Sequence, residues 1–228
     1  MSKDEFDGSP EGEWEERGEL AWNEFDWERY LRAQEETVNR YLAYYEVFRG
    51  HPERIDEVAR HMEWETEAEA SAAGAVNEAL PEPTPEEFAD EGDIYTLHKN
   101  PIFISTRALT LLVRRKWELL AGQPGKVTQP LAVSYLSSLH QGEDQALLAI
   151  HALEYGDYAM AISLFKRALS GLNRSLAFLN DPAAQRQPAV AAYREEALTA
   201  LFDLREIWLR VISECRTELE RPVEDEES

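Results

Sequence analysis

Apolar residues recur at three- and four-residue steps through most of this chain, and no segment alternates with a period of two for long enough to argue a sheet. The pattern predicts an all-α protein, an antiparallel helical bundle of about five to seven helices. Trp22, Phe25, Trp27, Tyr30, Leu31, Val38, Tyr41, Leu42, Tyr45 and Phe48 form the first helical stripe, which ends near Gly50. His51-Pro52-Glu53 offers a turn with proline near the first helical position. Ile55, Val58, Ala59, Met62, Ala68, Ala72 and Val76 then continue a second stripe to about Ala79. Pro81, Pro83 and Pro85, interleaved with Glu and Thr, cannot propagate a helix and mark an internal linker.

A third helix is predicted over 102–120, closed by the stop signal Ala121-Gly122-Gln123-Pro124-Gly125. Thr128-Gln129-Pro130 reads as a cap followed by proline in the first turn, leading into a fourth element that Gly142 would kink or divide. A fifth helix covers about 158–179 and stops at Asn180-Asp181-Pro182. Pro188 opens a last long helix whose apolar set includes Val190, Tyr193, Leu198, Leu201, Leu204, Ile207, Trp208, Val211 and Ile212. The expected organisation is a disordered acidic tail (1–21), a helical hairpin (22–80), a proline- and acid-rich linker (81–99), a bundle core (100–220) and a second disordered acidic tail (221–228).

Gly156, Tyr158, Ala161, Phe165 and Ala168 stand at the spacing of small and large residues that interlocks two helices, and Leu148 and Ala149 precede them. Over about residues 142–175 this spacing resembles a single tetratricopeptide repeat. Gln145, Ala152 and Asn173 occupy positions where that family carries other residues, and no second copy follows at the same period. The resemblance implies one helical hairpin, in a class of proteins that commonly bind peptides or other proteins. It implies no enzymatic activity.

Net charge changes the picture of partners. The 228 residues carry 45 acidic and 23 basic side chains, a formal charge of −22, which argues against attraction to nucleic acid or to an anionic membrane surface. Residues 1–100 hold 28 acids and 9 bases, residues 101–186 hold 6 and 9, and residues 187–228 hold 11 and 5. The one basic concentration, Arg107, Arg114, Arg115 and Lys116, is expected to pair with the chain's own acidic first half or acidic tail. The single Cys215 excludes an internal disulfide and a multi-cysteine zinc site. No leader pattern and no run of about 18 apolar residues occurs, so a cytoplasmic location is expected.

Candidate chemistry is sparse. Neither a Gly-x-Ser-x-Gly elbow nor a phosphate-cradling glycine loop is present. On one continuous helix His140, Asp144, His151 and Glu154 would share a stripe able to hold a divalent metal, and His61 lies four residues from both Glu57 and Glu65. No histidine has Glu three residues before it, so the paired-helix di-iron pattern is missing. Trp22, Phe25, Trp27 and Tyr30 lie among Glu and Asp, which combines large apolar anchors with a field that attracts basic surfaces.

The leading expectation is therefore a non-enzymatic adaptor or chaperone-like module that binds a basic or apolar protein segment and is capable of homo-oligomer formation. A metal-binding bundle or metal-dependent enzyme, and an acidic mimic of nucleic acid, are the alternatives.

Overall fold

The computed structural model describes residues 22–64 and 99–221, and among these the secondary structure is helical with no strand. Seven helices follow in order: α1 Glu24–Val47, α2 Arg54–His61, α3 Pro101–Ala121, α4 Gln129–Glu154, α5 Tyr158–Asn180, α6 Pro182–Gln185 and α7 Pro188–Glu220. The all-α bundle expected from the periodicity is what the chain forms.

Local signals start most of these helices. Asn23 and Asp26 make a capping box at α1: Asn23 Oδ1 accepts from the Phe25 and Asp26 amides at 2.8 and 3.2 Å, and Asp26 accepts from the Asn23 amide at 3.2 Å. Asn100 accepts from the Ile102 and Phe103 amides ahead of Pro101, so α3 begins with a cap and a proline that has no amide to lose. Asp157 caps α5 through the Met160 amide, directly after Gly156 at φ 71 has turned the chain out of α4. Thr128 differs from expectation: it occupies the cap position of α4, but its side chain makes no capping hydrogen bond.

Helices α3, α4, α5 and α7 pack in a ring, each against the next, with α7 closing back on α3. The connections between α3 and α4 and between α4 and α5 are short, which makes those neighbours antiparallel. Helix α1 lies on α3, and α2 packs on α1. Val38, Tyr41, Tyr45, Val58 and Met62 from this N-terminal pair join the same apolar cluster as Trp117, Tyr135, Phe165 and Trp208 of the ring. Full burial of each large side chain contributes about 1.5–3 kcal/mol, so α1 and α2 are held by several such contributions.

Gly142 does not divide α4, which runs unbroken for 26 residues. It is the point where α4 and α5 touch backbone to backbone. A Cβ built on Gly171 would stand 2.9 Å from the Gly142 Cα, and one on Gly142 would stand 3.3 Å from the Ala168 carbonyl. Ser138 and Ser175 share a buried 2.7 Å hydroxyl hydrogen bond at the same crossing. Glycine inside a helix costs about 1 kcal/mol relative to alanine, and here the close approach is what offsets it.

The second helix is shorter than its apolar stripe suggested. It ends at His61, and Glu63 at φ 64 turns the chain through the left-handed region. The expected continuation towards Ala79, the linker up to residue 98, the first acidic tail and the second beyond Arg221 lie outside the described residues.

Candidate functional site

Helix α1 divides into two halves with different surroundings. Its C-terminal half supplies Val38, Tyr41 and Tyr45 to the core, as an amphipathic helix packed on a bundle should. Its N-terminal half carries the predicted anchors. Trp22, Trp27 and Tyr30 form an edge-to-face cluster with ring centroids 5.1, 5.5 and 6.0 Å apart. Phe25 is 72% exposed, Leu31 48% and Trp27 38%. Among the described residues, none of these five belongs to the apolar core or to the layer packed directly on it.

Helical phase connects this aromatic end to a second feature. Trp27, Leu31, Gln34, Glu35 and Val38 fall on one face of α1, at steps of four, three, one and three residues. The last three of them line a cleft of about 280 Å³ between α1 and α3, whose far wall is Arg107, Leu111, Arg114 and Arg115. The basic concentration seen in the sequence is therefore split in space. Arg107, Arg114 and Arg115 face the cleft, whereas Lys116 pairs with Glu196 of α7 at 3.1 Å.

The partners of these arginines are not those expected from the charge distribution. Glu143 of α4, only 5% exposed at its side chain, accepts a hydrogen bond from Arg107 and stands 3.9 Å from Arg114. Arg114 also lies 3.7 Å from Glu118 on its own helix. Arg115 is exposed and forms no ion pair among the described residues. Glu143 was missed in the sequence, although a signal was present: it occupies a position on the apolar face of α4 shared with Leu139 and Ala146.

A buried polar node fixes α1 and α2 to α7. Asp203 is 8% exposed at its side chain and accepts from Tyr45 Oη at 2.6 Å and from Arg54 Nη2 at 2.6 Å, with Arg54 Nε also bonded to it. Burial works to lower the Arg54 pKa, but the hydrogen bonds and charge of Asp203 outweigh it and hold the guanidinium above its ordinary value. Burial, reinforced by the hydrogen bond to Asp203, pushes the Tyr45 hydroxyl far up, and Tyr41 beside it is raised by burial and then by the Asp203 charge. Both phenols are thus held neutral. On the surface, Arg210 of α7 grips Asp56 of α2 and adds a second tie between the same elements.

The four candidate metal ligands do not converge. His140 and Glu154 are 14 positions apart on the continuous helix α4, roughly 21 Å at about 1.5 Å of rise per residue. His151 Nδ1 sits 3.3 Å from Glu154 as a local pair on an exposed turn, and His140 and Asp144 line a separate shallow groove. His61 stacks on Phe48 and Tyr44, with centroids at 4.8 and 5.4 Å, while Glu57 bonds Arg60 at 2.6 Å; Glu65 lies outside the described residues. Among the described residues no group of three or more His, Cys, Asp or Glu side chains is placed to hold a metal ion.

Cys215 is buried on α7, and burial raises its thiol pKa, which suppresses the reactive thiolate. No described helix is long and apolar enough to cross a membrane.

A scan against protein-family models finds no match, and searches of curated proteins and of solved structures find no significant relative. The tetratricopeptide-like spacing rests on the residue pattern alone. Ala161, Phe165 and Ala168 are fully buried, as that pattern implies, but α4 and α5 together run from 129 to 180, longer than one repeat of about 34 residues.

Proposed function

We propose that this chain is a non-enzymatic protein-interaction module, an adaptor or chaperone-like unit, that presents the N-terminal half of α1 to a basic or apolar segment of another protein. The observation that carries the reading is the exposure of Phe25, Trp27 and Leu31 on a helix whose other half is anchored in the core. Large apolar side chains on a rigid helix supply affinity when a partner desolvates them, and they lose little entropy in doing so.

The net charge of −22 supports a basic partner by steering encounter, more than it strengthens the final contact. Within α1 itself, Arg29 and Arg32 pair with Asp26 and Glu28, so the local field is weaker than the total charge. The tetratricopeptide-like hairpin adds a helical scaffold of the kind used for peptide binding, although here it closes into a ring with α7 and α3 instead of stacking on further repeats.

The test is replacement of Phe25, Trp27 and Leu31 together by Ser. The reading expects a partner retained by the intact chain and released at rising salt to be lost by the variant, with cooperative unfolding of the bundle retained. Retention of the partner by the variant would overturn it.

A further inference from the structure

We propose that the cleft between α1 and α3 is a binding site for a phosphate monoester, held by Arg107, Arg114 and Arg115 with the side-chain amides of Gln34 and Asn39. This site is separate from the aromatic end of α1 and does not depend on the protein-binding reading.

The argument begins with donors. Three guanidinium groups offer five N–H donors each, in planar forks that match phosphate oxygens. Of these, Glu143 takes one hydrogen bond from Arg107, and Arg114 meets Glu143 and Glu118 only at ion-pair distance. The amides of Gln34 and Asn39 take part in no side-chain hydrogen bond among the described residues, and Arg115 has no ion pair there. Most of the donor capacity of the cleft is unspent.

The charge balance points the same way. Three guanidiniums in one cleft repel one another; Glu143 and Glu118 offset two of them at ion-pair distance, which leaves Arg115 without a carboxylate among the described residues. Glu35 lines the same cleft and is exposed, where water and salt screen it. A phosphate monoester carries about −1.5 to −2 at neutral pH and supplies acceptor oxygens to Arg115 and to the donors of Arg107 and Arg114 that the carboxylates leave open.

Glu143 also positions the site. It is buried behind Arg107 and Arg114 and holds both from the α4 side, which restrains two long side chains before any ligand arrives. The rest of the chain sets an upper limit on ligand size: at −22, its field disfavours a polyanion such as nucleic acid, whereas a compact dianion meets mainly the local arginines. A volume of about 280 Å³ admits a phosphoryl group with a short organic portion.

The experiment follows the arginine Nε–H and backbone amide NMR signals of the intact chain during titration with methyl phosphate, inorganic phosphate and succinate, each against sodium chloride of matched ionic strength. The proposal expects saturable shifts with methyl phosphate at the arginines 107, 114 and 115 and the amides of Gln34 and Asn39. It expects Arg115→Gln to weaken binding about tenfold, because one charge-assisted donor group is lost. Arg115 is exposed and unpaired with any described carboxylate, so this variant tests the site and not the fold.

Linear shifts equal to those in chloride would reduce the cleft to an ion atmosphere and overturn the proposal. So would tighter binding of succinate than of methyl phosphate, which would assign the cleft to carboxylates, or of inorganic phosphate, which would assign it to the free ion. Unchanged affinity in Arg115→Gln would overturn the assignment of Arg115.

Discussion

Arg54 of α2 and Asp203 of α7, 149 positions apart, meet as a two-pronged buried ion pair, with Tyr45 of α1 bonded to the same carboxylate. One side chain thereby couples three helices, and it does so where the N-terminal pair meets the four-helix ring. Replacing Arg54 by Met leaves Asp203 charged in a buried site, so the variant is expected to lose about 3 kcal/mol in urea unfolding. Adding Asp203→Asn removes the stranded charge, and the double variant is expected to lose clearly less than the sum of the two single changes. Additive losses would mean that the two residues do not interact energetically.

The glycine crossing of α4 and α5 gives a second test. Gly171→Ala would place a Cβ against the Gly142 backbone at 2.9 Å, and backbone has no rotamer by which to move aside. A destabilisation of about 1–3 kcal/mol is expected, seen as a lower Tm, even though alanine is the better helix former. Gly50, whose built Cβ meets nothing within 4 Å, is the control and should tolerate Ala with little loss. An unchanged or raised Tm for Gly171→Ala would show that the two helices are not in backbone contact.

Alkaline pH provides a third. Tyr41, Tyr45, Tyr135 and Tyr193 have pKa values raised above the ordinary 10.0, with burial the largest cause in each. Below that value both folded and unfolded chains keep these protons, and the full stability is present. Above it the unfolded chain releases them while the folded chain does not, so each tyrosine removes about 1.4 kcal/mol of stability per pH unit. The four are expected to ionise together with loss of near-ultraviolet circular dichroism, as one cooperative absorbance step above pH 10. Gradual ionisation of all tyrosines with the dichroism intact would contradict this burial.

How much of this was legible in the sequence depends on the range of each interaction. Helix starts at Asn100-Pro101, Asp157 and Pro188 depend on neighbouring residues, and the three- and four-residue steps exposed α1, α3, α5 and α7 close to their observed limits. Gly142 was ambiguous because its role is decided by Gly171, 29 positions later, and a glycine that breaks a helix looks the same as one that admits a neighbour. The end of α2 was missed because Glu63 adopts a positive φ without the glycine or asparagine that usually signals it.

The candidate site was partly readable for the same reason. Trp22, Phe25, Trp27 and Tyr30 were singled out as aromatics among acids, but only packing shows that this half of α1 lies off the core. Arg107, Arg114 and Arg115 were visible as a basic concentration, whereas their opposition to Gln34 and Asn39, and the support from Glu143, are tertiary. The metal stripe failed on length: shared helical phase aligns side chains on one face without bringing them to one point.

The central claim, that α1 presents an apolar docking edge, is tested most directly by affinity capture with the intact chain and with the Phe25→Ser/Trp27→Ser/Leu31→Ser variant side by side, eluted by rising salt. The account predicts at least one protein retained by the intact chain, released by salt and absent with the variant, while both chains unfold cooperatively. Identical retained proteins with both chains, or none released differently, would contradict it.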